Sequence, residues 1–417
     1  MRLKVPNIRH LRVFRRVAQC HSVSAAAEKE HLSQPAVTQA ISKLEDELDI
    51  QLFERRADGM FATVVGGRLL ERVERALDHL QAGAREASRL GARQKERGFS
   101  HFDRLVTAAQ LRALIAMSEA NNFSIAARNI GISQPSIHRA ARNLERLSGI
   151  KLFNPAQEGI SLTPAAQVLA QRTKLALAEL QQGFDEVDDF LGRDSSQIIV
   201  GSLPLARTYL LPMAIDRMVR ARDKVQIRVL DGLYAELLQG VRQGDIDFLV
   251  GALRKTLPVD DVVQETLFDD PLAIVVGANH PLLKKRKVTL EDTLAYPWVA
   301  PPKTTPAGGY LFDTLRIDAL PETPVRAVSS SLILVRGLLM MGDYITIISQ
   351  SQIRSELERD LLKPLPVDLT DNSRPIGLTY RADWRPTETQ KQFLTYLREI
   401  SASDLSSAPE EAALLKK

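Results

Sequence analysis

Apolar positions along the first ninety residues follow a helical period and fall into short blocks. Leu11, Phe14, Val17 and Ala18 lie on one face of a first helix. Ser24 is a good cap for a second block, in which the small Ala26 and Ala27 permit close packing against a neighbour. After a tight connection at His31 to Ser33, a third helix is expected. Ser33 caps it, Pro35 sits in its first turn where a missing N–H costs little, and Ile41, Leu44 and Leu48 form its buried face. The opposite face displays Gln34, Ala36, Thr38, Gln39 and Lys43. Two short helices joined by a tight turn, the second showing polar and basic groups, have the shape a major groove admits. The same pattern also describes a three-helix packing unit whose outer residues face water.

The pattern then repeats at an offset of 100 without a gap. Ser33-Gln34-Pro35 recurs as Ser133-Gln134-Pro135, Ala26-Ala27 as Ala126-Ala127, Leu44-Glu45 as Leu144-Glu145, and Leu52-Phe53 as Leu152-Phe153. The register persists through Thr63 and Thr163, Arg72 and Arg172, and Leu80-Gln81 and Leu180-Gln181. Residues 1–95 and 107–192 are therefore read as two copies of one unit joined by a connector at 96–106. Each copy closes on a long apolar series, Leu69, Val73, Ala76 and Leu80 in the first and Leu169, Ala176, Leu180, Val187 and Leu191 in the second. That spacing suits a helix packed along another helix, either within the chain or in a second subunit.

From Gln197 short β-branched runs alternate with helical stretches, which predicts an α/β sheet. Ile198 to Val200, Gln226 to Leu230, Ile246 to Gly251 and Leu272 to Val276 are expected strands, with helices over Leu210 to Arg220 and Leu233 to Arg242. Two lobes are expected within 197–401, the first from 197–270 and 366–401 and the second from 271–365, followed by a loosely held tail at 402–417. Ligands in open α/β sheets bind outside strand ends and at lobe junctions. Ser202 and Leu203, Gly232 and Leu233, Lys303, Thr304 and Thr305, and Ser329, Ser330 and Ser331 are such places, although hydroxyl-rich turns are also ordinary helix caps. Lys303 and Arg207 are candidate partners for an anionic ligand.

Charge sharpens the division. The first 100 residues carry 18 Lys and Arg against 13 Asp and Glu, while the remainder has one negative charge in excess. Local positive charge at one end suits phosphate neutralisation. A single cysteine, Cys20, excludes a disulfide framework, and Met1 to His10 lack the apolar run of a secretory signal. A cytoplasmic location without membrane association is expected. Catalysis is not expected, because paired acids, a phosphate-cradling glycine loop and metal-ligand spacing among the seven histidines are all missing. No cofactor or metal is expected either.

The series Val23-Ser24, Ala26-Ala27, Leu32-Ser33-Gln34-Pro35-Ala36-Val37-Thr38, Ile41, Leu44-Glu45, Leu48 and Leu52-Phe53-Glu54-Arg55 resembles the N-terminal signature of the LysR-type transcriptional regulators. The second copy matches it in Phe123-Ser124, Ala126-Ala127, Ile130, Ile132-Ser133-Gln134-Pro135-Ser136-Ile137, Leu144-Glu145, Gly149-Ile150 and Leu152-Phe153. The resemblance implies a winged helix-turn-helix, a linker helix that pairs two subunits, and a C-terminal effector domain similar to periplasmic binding proteins. An ordinary member has one N-terminal unit, so the second copy is a departure. The copies are also unequal. The first has Glu30 at an apolar position, Asp49 at a glycine position and Val64 at a proline position, but keeps the wing residues Arg55 and Arg56. The second keeps Ile130, Gly149 and Pro164, and has Asn154-Pro155 in the wing.

By position, the resemblance implies DNA contacts from Gln34, Pro35, Thr38, Gln39, Lys43, Arg55 and Arg56, and from Gln134, Pro135, Ser136, His138 and Arg139. Gln and Arg can bond base edges, while Ser, Thr and Lys more often position phosphates. The partners implied are double-stranded DNA, a small-molecule effector, a second or further copies of the chain as homodimer or homotetramer, and the transcription machinery. Two readings stand for the duplication: both copies bind DNA, or one has become a packing module. The alternative for the whole chain is a cytoplasmic small-molecule-binding protein whose helical units serve only packing or oligomerisation.

Overall fold

The computed structural model describes residues 6–91, 102–120, 122–156, 159–193, 196–319 and 324–407. Most of the expected connector and the last ten residues of the tail lie outside them. The chain divides into two units, the first running to Ser196 and also taking in Gln243–Asp245, the second comprising Gln197–Arg242 and the chain from Ile246 onward.

The first unit opens with α1 (Ile8–Cys20), α2 (Val23–Glu30) and α3 (Gln34–Leu48), then a hairpin of β1 (Phe53–Arg56) and β2 (Gly59–Ala62), then the long α4 (Val64–Leu90). A short α5 (Phe102–Leu105) follows. The series is then repeated as α6 (Ala108–Ala120), α7 (Phe123–Ile130), α8 (Gln134–Ser148), β3 (Phe153–Ala156), β4 (Gly159–Leu162) and α9 (Pro164–Phe190). The hairpins share one register, Phe53 opposite Ala62 and Phe153 opposite Leu162. Capping explains most starts. Ser33 accepts from the Ala36 N–H, and Thr63 and Thr163 accept from the N–H groups of Gly66 and Ala166. The expected cap at Ser24 moves two residues earlier, because Ser22 has the extended backbone and accepts from Ala25 while Ser24 is already helical. Asn122 does the same for α7.

The departures in the first copy each have a local answer. Glu30 is buried, its side chain 4% exposed, but Arg12 and Arg16 both bond it, Arg16 Nε at 3.0 Å. The second copy has Ile130 there, with Ala116 and an exposed Arg112 in place of the two arginines. Asp49 adopts a left-handed conformation at φ 56° to end α3, where Gly149 ends α8 at φ 70°. His31 and Gly131 are the corresponding pair after α2 and α7.

Helices α4 and α9 pack antiparallel within the chain. Gly83 faces Leu169 and Arg172, and Gly183 faces Leu69 and Arg72. Leu69, Val73, Ala76, Leu77, Leu80 and Ala84 are buried together with Leu169, Ala176, Leu177, Leu180 and Val187 in one core. Of the two readings left open for the long apolar series, the structure therefore shows pairing inside one chain.

The second unit is an α/β sheet of nine strands. It contains β5 (Gln197–Ser202), α10 (Leu210–Ala221), β6 (Gln226–Asp231), α11 (Tyr234–Gln243), β7 (Phe248–Ala252), β8 (Val262–Gly277), α12 (Leu290–Thr293), β9 (Trp298–Ala300) and α13 (Pro306–Gly309). It ends with β10 (Val325–Val328), α14 (Leu332–Met341), β11 (Ile345–Ser349), α15 (Arg354–Glu358), β12 (Leu362–Pro364), β13 (Ser373–Arg381) and α16 (Glu388–Ser407). The strand order is β10-β9-β11-β8-β13-β7-β5-β6, with β12 also on β8. The long β8 pairs β13 over Val262–Pro271 and β11 over Leu272–Val276, so it belongs to two halves of the sheet and the first crossing lies at Pro271/Leu272. The second crossing is at Asn372, not at residue 366 as expected, because Leu365, Val367 and Leu369 still pack on the core around Trp298. Helix α16 also runs past the expected end at residue 401, where the Ser401 hydroxyl bonds back to the Leu397 carbonyl at 2.7 Å.

Candidate functional site

The third helix of each copy buries one face and exposes the other. Val37, Ile41 and Leu44 of α3, and Ile137, Ala141 and Leu144 of α8, join the core. Gln34, Pro35, Thr38, Gln39 and Lys43 are exposed on α3, as are Gln134, Pro135, His138 and Arg139 on α8, while Ser136 is half-buried. The helix is tied to its hairpin by one carboxylate: Glu45 accepts the Leu52 and Phe53 N–H groups at 2.8 and 3.3 Å, and Glu145 those of Leu152 and Phe153 at 3.0 and 3.1 Å. This repeated bond fixes where the hairpin stands relative to the helix. Helical phase gives no reason to single out either glutamate for this role, although the repeated Leu-Glu pair is visible in the sequence.

The exposed side chains differ in how far they are engaged. Gln134 accepts from the Ser124 hydroxyl at 3.0 Å, Ser136 shares a hydrogen bond with Ser133 at 2.8 Å, and His138 lies edge-on to Phe123. Arg55 and Arg56 stand exposed on β1. Arg56 pairs with Glu54 and lies over the Phe61 ring, which leaves Arg55 the more available of the two. Arg146, also exposed on α8, extends its basic face beyond the residues expected from the family pattern, while the exposed Arg142 pairs with Glu145 at 2.9 Å.

In the second unit a cavity of about 480 Å³ is lined by Leu203, Gly232, Leu233, Thr304, Thr305, Ser329 and Ser330, seven of the ten ligand-site positions expected from the sequence. The other three lie elsewhere. Ser202 is buried and bonds the Leu203 carbonyl, Ser331 caps α14, and Lys303 pairs with Asp313 at 3.2 Å. Arg207, the second candidate cation, pairs with Asp231 at 3.0 Å. The cationic groups lining the cavity are instead Arg254 and Arg374. Isolated arginines in strand-rich sequence gave no signal that the sheet would bring them together.

Both guanidinium groups are held below their ordinary pKa by burial. Asp270 partly reverses the effect at Arg374, and the charge of Arg254 adds to it. Asp270 is fully buried, accepts from the Ser349 hydroxyl at 2.7 Å and meets Arg374 at 3.4 Å. The Arg374 Nε finds no hydrogen-bond partner among the described residues. Arg254 lies over the Tyr234 ring, 4.2 Å from its centroid. Leu203, Leu205, Ala252 and Val335 supply apolar wall. Two cations against one carboxylate leave the cavity positive.

Among the described residues, no helix is long and apolar enough to cross a membrane, and no group of three or more His, Cys, Asp or Glu residues could hold a metal ion.

Comparisons with known proteins agree with this division. The family model "LysR substrate binding domain" matches residues 192–402. "Bacterial regulatory helix-turn-helix protein, lysR family" matches twice, at 8–67 and 108–167. The HTH-type transcriptional regulator GalR of Pseudomonas putida is 31% identical over 398 residues, 95% of this chain and 98% of that protein, so the aligned stretch takes in both copies. PcaQ of Agrobacterium fabrum is 26% identical over 72% of this chain and 96% of its own length. Among solved structures, a full-length OxyR variant from Pseudomonas aeruginosa matches in fold with a TM-score of 0.54 at 21% identity, over 70% of this chain and 95% of that one. The chain belongs to the LysR-type transcriptional regulators.

Proposed function

We propose that each N-terminal copy is a winged helix-turn-helix whose third helix enters a major groove, and that the C-terminal unit is a two-lobed, periplasmic-binding-protein-like sensor that takes a small organic anion. The observation that carries the first part is the same exposed polar face on α3 and α8, each backed by an apolar core and tied to a hairpin through one glutamate. In this reading Gln39, Lys43 and Arg139 contact base edges and phosphates, with Gln34, Thr38, Gln134 and Ser136 flanking them and Arg55 following the backbone from the hairpin. A regulator of this kind acts in the cytoplasm, where the DNA is, and needs no cofactor besides its effector. Oligomers of the whole chain, expected as dimers or tetramers, would place several such units on one promoter.

The ligand class follows from the cavity. A carboxylate would meet Arg374 and Arg254, and an apolar body would cover the leucine wall. Genome-wide mapping of DNA bound by the full-length protein, with Arg139→Ala and Lys43→Ala variants beside it, tests the DNA reading. Enrichment of discrete sites that both variants weaken supports it, and binding unchanged in both variants overturns it. Calorimetric titration of small carboxylic acids and their amides tests the cavity. Binding of acids alone, lost in Arg374→Met, is expected; equal binding of acid and amide would refute the anionic assignment.

A further inference from the structure

The packing of α4 against α9 has a symmetry that extends beyond either copy. Adding 100 to one partner and subtracting it from the other turns each of the glycine contacts and the outer Arg–Glu pair into its counterpart. A Cβ placed on Gly83 would lie 2.7 Å from Arg172 Cβ, and one on Gly183 would lie 2.9 Å from Arg72 Cβ. Arg72 bonds Glu186 with Nε at 3.2 Å, and Arg172 bonds Glu86 with Nε at 3.3 Å. A local two-fold axis therefore crosses the pair beside Leu77 and Leu177, at the middle of both helices. The C-terminus of α4 at Gly91 reaches Ile150 of the second copy, and Arg193, just past α9, pairs with Asp49 of the first at 2.7 Å. The two copies thus sit at opposite ends of helices that each span about 40 Å. That span is of the order of the ~34–36 Å between half-sites one DNA turn apart.

We propose that a single chain is a complete two-site DNA reader, with α3 and α8 addressing two unlike half-sites of one asymmetric operator. The inference rests on the reading above that both copies contact DNA. One set of interactions breaks the symmetry and selects this partnership. Glu179 takes Arg72 at 3.0 Å and Arg75 at 2.7 Å, and Gln182 takes Arg72 at 2.8 Å, whereas the first copy has His79 and Ala82 at the equivalent positions. Two α4 helices from separate chains would keep a carboxylate, Glu86, for Arg72 but would offer His79 and Ala82 where Glu179 and Gln182 stand, losing the bonds to Arg75 and the second set to Arg72, so α4 prefers α9. The reading faces are unlike as well. α3 exposes Lys43 among Asp46 and Glu47, while α8 exposes Arg139 and Arg146, with Arg142 paired to Glu145 at 2.9 Å. The α8 half-site should favour guanine contacts and lose protection first as salt rises, and the α3 half-site should favour the amide chemistry of Gln39.

The test selects duplexes from a random 40-base-pair library with the full-length protein and footprints the enriched sequence. Two unlike protected halves are expected. Lys43→Ala should weaken one half and Arg139→Ala the other, each by about fivefold or more, with the opposite half still protected. Both positions are exposed, so thermal melting should be unchanged. Loss on both sides from either variant, or a silent Arg139→Ala, overturns the inference while leaving the regulator reading intact. Absence of any enriched duplex overturns both. Independently, Gly83→Cys with Arg172→Cys in a Cys20→Ser background should form a disulfide on oxidation, and the product should migrate as one chain on a denaturing gel. A covalent dimer, or no crosslink, refutes intrachain pairing.

Discussion

At the scale of single residues the two copies reach the same backbone with different chemistry. Glu30 at an apolar position is tolerated because Arg16, which stands where the second copy has Ala116, and Arg12, an arginine in both copies, both bond it, whereas the second copy has Ile130 there. Removing one member of a buried ion pair leaves a charge without its counterion. Glu30→Ala should therefore destabilise the first unit by about 3–5 kcal/mol. The triple change Glu30→Ile, Arg12→Leu, Arg16→Ala should recover most of that loss, because an apolar cluster of similar volume needs no compensating charge. Urea unfolding of the full-length variants measures both, and a fully stable Glu30→Ala protein would show that the pair contributes nothing. His31 and Asp49 hold left-handed conformations that Gly131 and Gly149 occupy at lower cost. Glycine at either position should raise stability by up to about 1 kcal/mol, and at Asp49 less, since its exposed pair with Arg193 is lost. A fall in stability for His31→Gly would refute the strain argument.

At the scale of elements, the helix pair is the place where charge controls packing. Burial alone would raise the Glu179 pKa, but the hydrogen bonds and charges of Arg75 and Arg72 outweigh it and hold the carboxyl below its ordinary range. A carboxylate whose folded pKa is depressed contributes stability above its unfolded pKa and loses it as the pH falls through the folded one. The helix pair should therefore weaken as the pH drops below about 4.3, the ordinary glutamate value. Glu179→Gln should be destabilised at neutral pH and show a flatter acid limb in thermal melts from pH 7 to 3. An unchanged limb would show that Glu179 is not the group responsible. Periodicity made the long helices legible, since Leu69, Val73, Ala76 and Leu80 lie on one stripe, but it could not identify the partner. An apolar stripe states that something covers it, and the choice between another chain and this one falls to Glu179 and Gln182, whose roles appear only once the helices are antiparallel. The boundary errors have the same origin. Ser22 and Ser24 are both adequate caps by composition, and only backbone conformation selects the first.

At the scale of the whole molecule, two kinds of site were legible to different degrees. The exposed residues of the third helix follow from helical phase, because a helix that buries Val37, Ile41 and Leu44 must expose Thr38, Gln39 and Lys43, while a role toward DNA comes only from the family resemblance. The cavity does not follow from any local rule: Arg254 follows β7 and Arg374 lies on β13, 120 positions apart in the chain, and they converge through sheet order. Lys303 and Arg207 looked equally suitable in sequence but are engaged by Asp313 and Asp231. If an anion bound between Arg254 and Arg374 alters how the helices engage DNA, the two equilibria share one coupling free energy, and the influence must be mutual. An effector that tightens operator binding by a given factor must itself bind tighter by that factor when the operator is present. For typical couplings of about 1–3 kcal/mol the factor is about 5–150. Measuring effector affinity with and without saturating operator, and operator affinity with and without saturating effector, should give equal ratios. Arg374→Met should bring the effector-dependent ratio to one without changing operator affinity in the absence of effector. Two ratios of one in the unaltered protein, with effector bound in the cavity, would mean that the ligand has no differential affinity for the DNA-bound and free states, and control through this cavity would have to be abandoned.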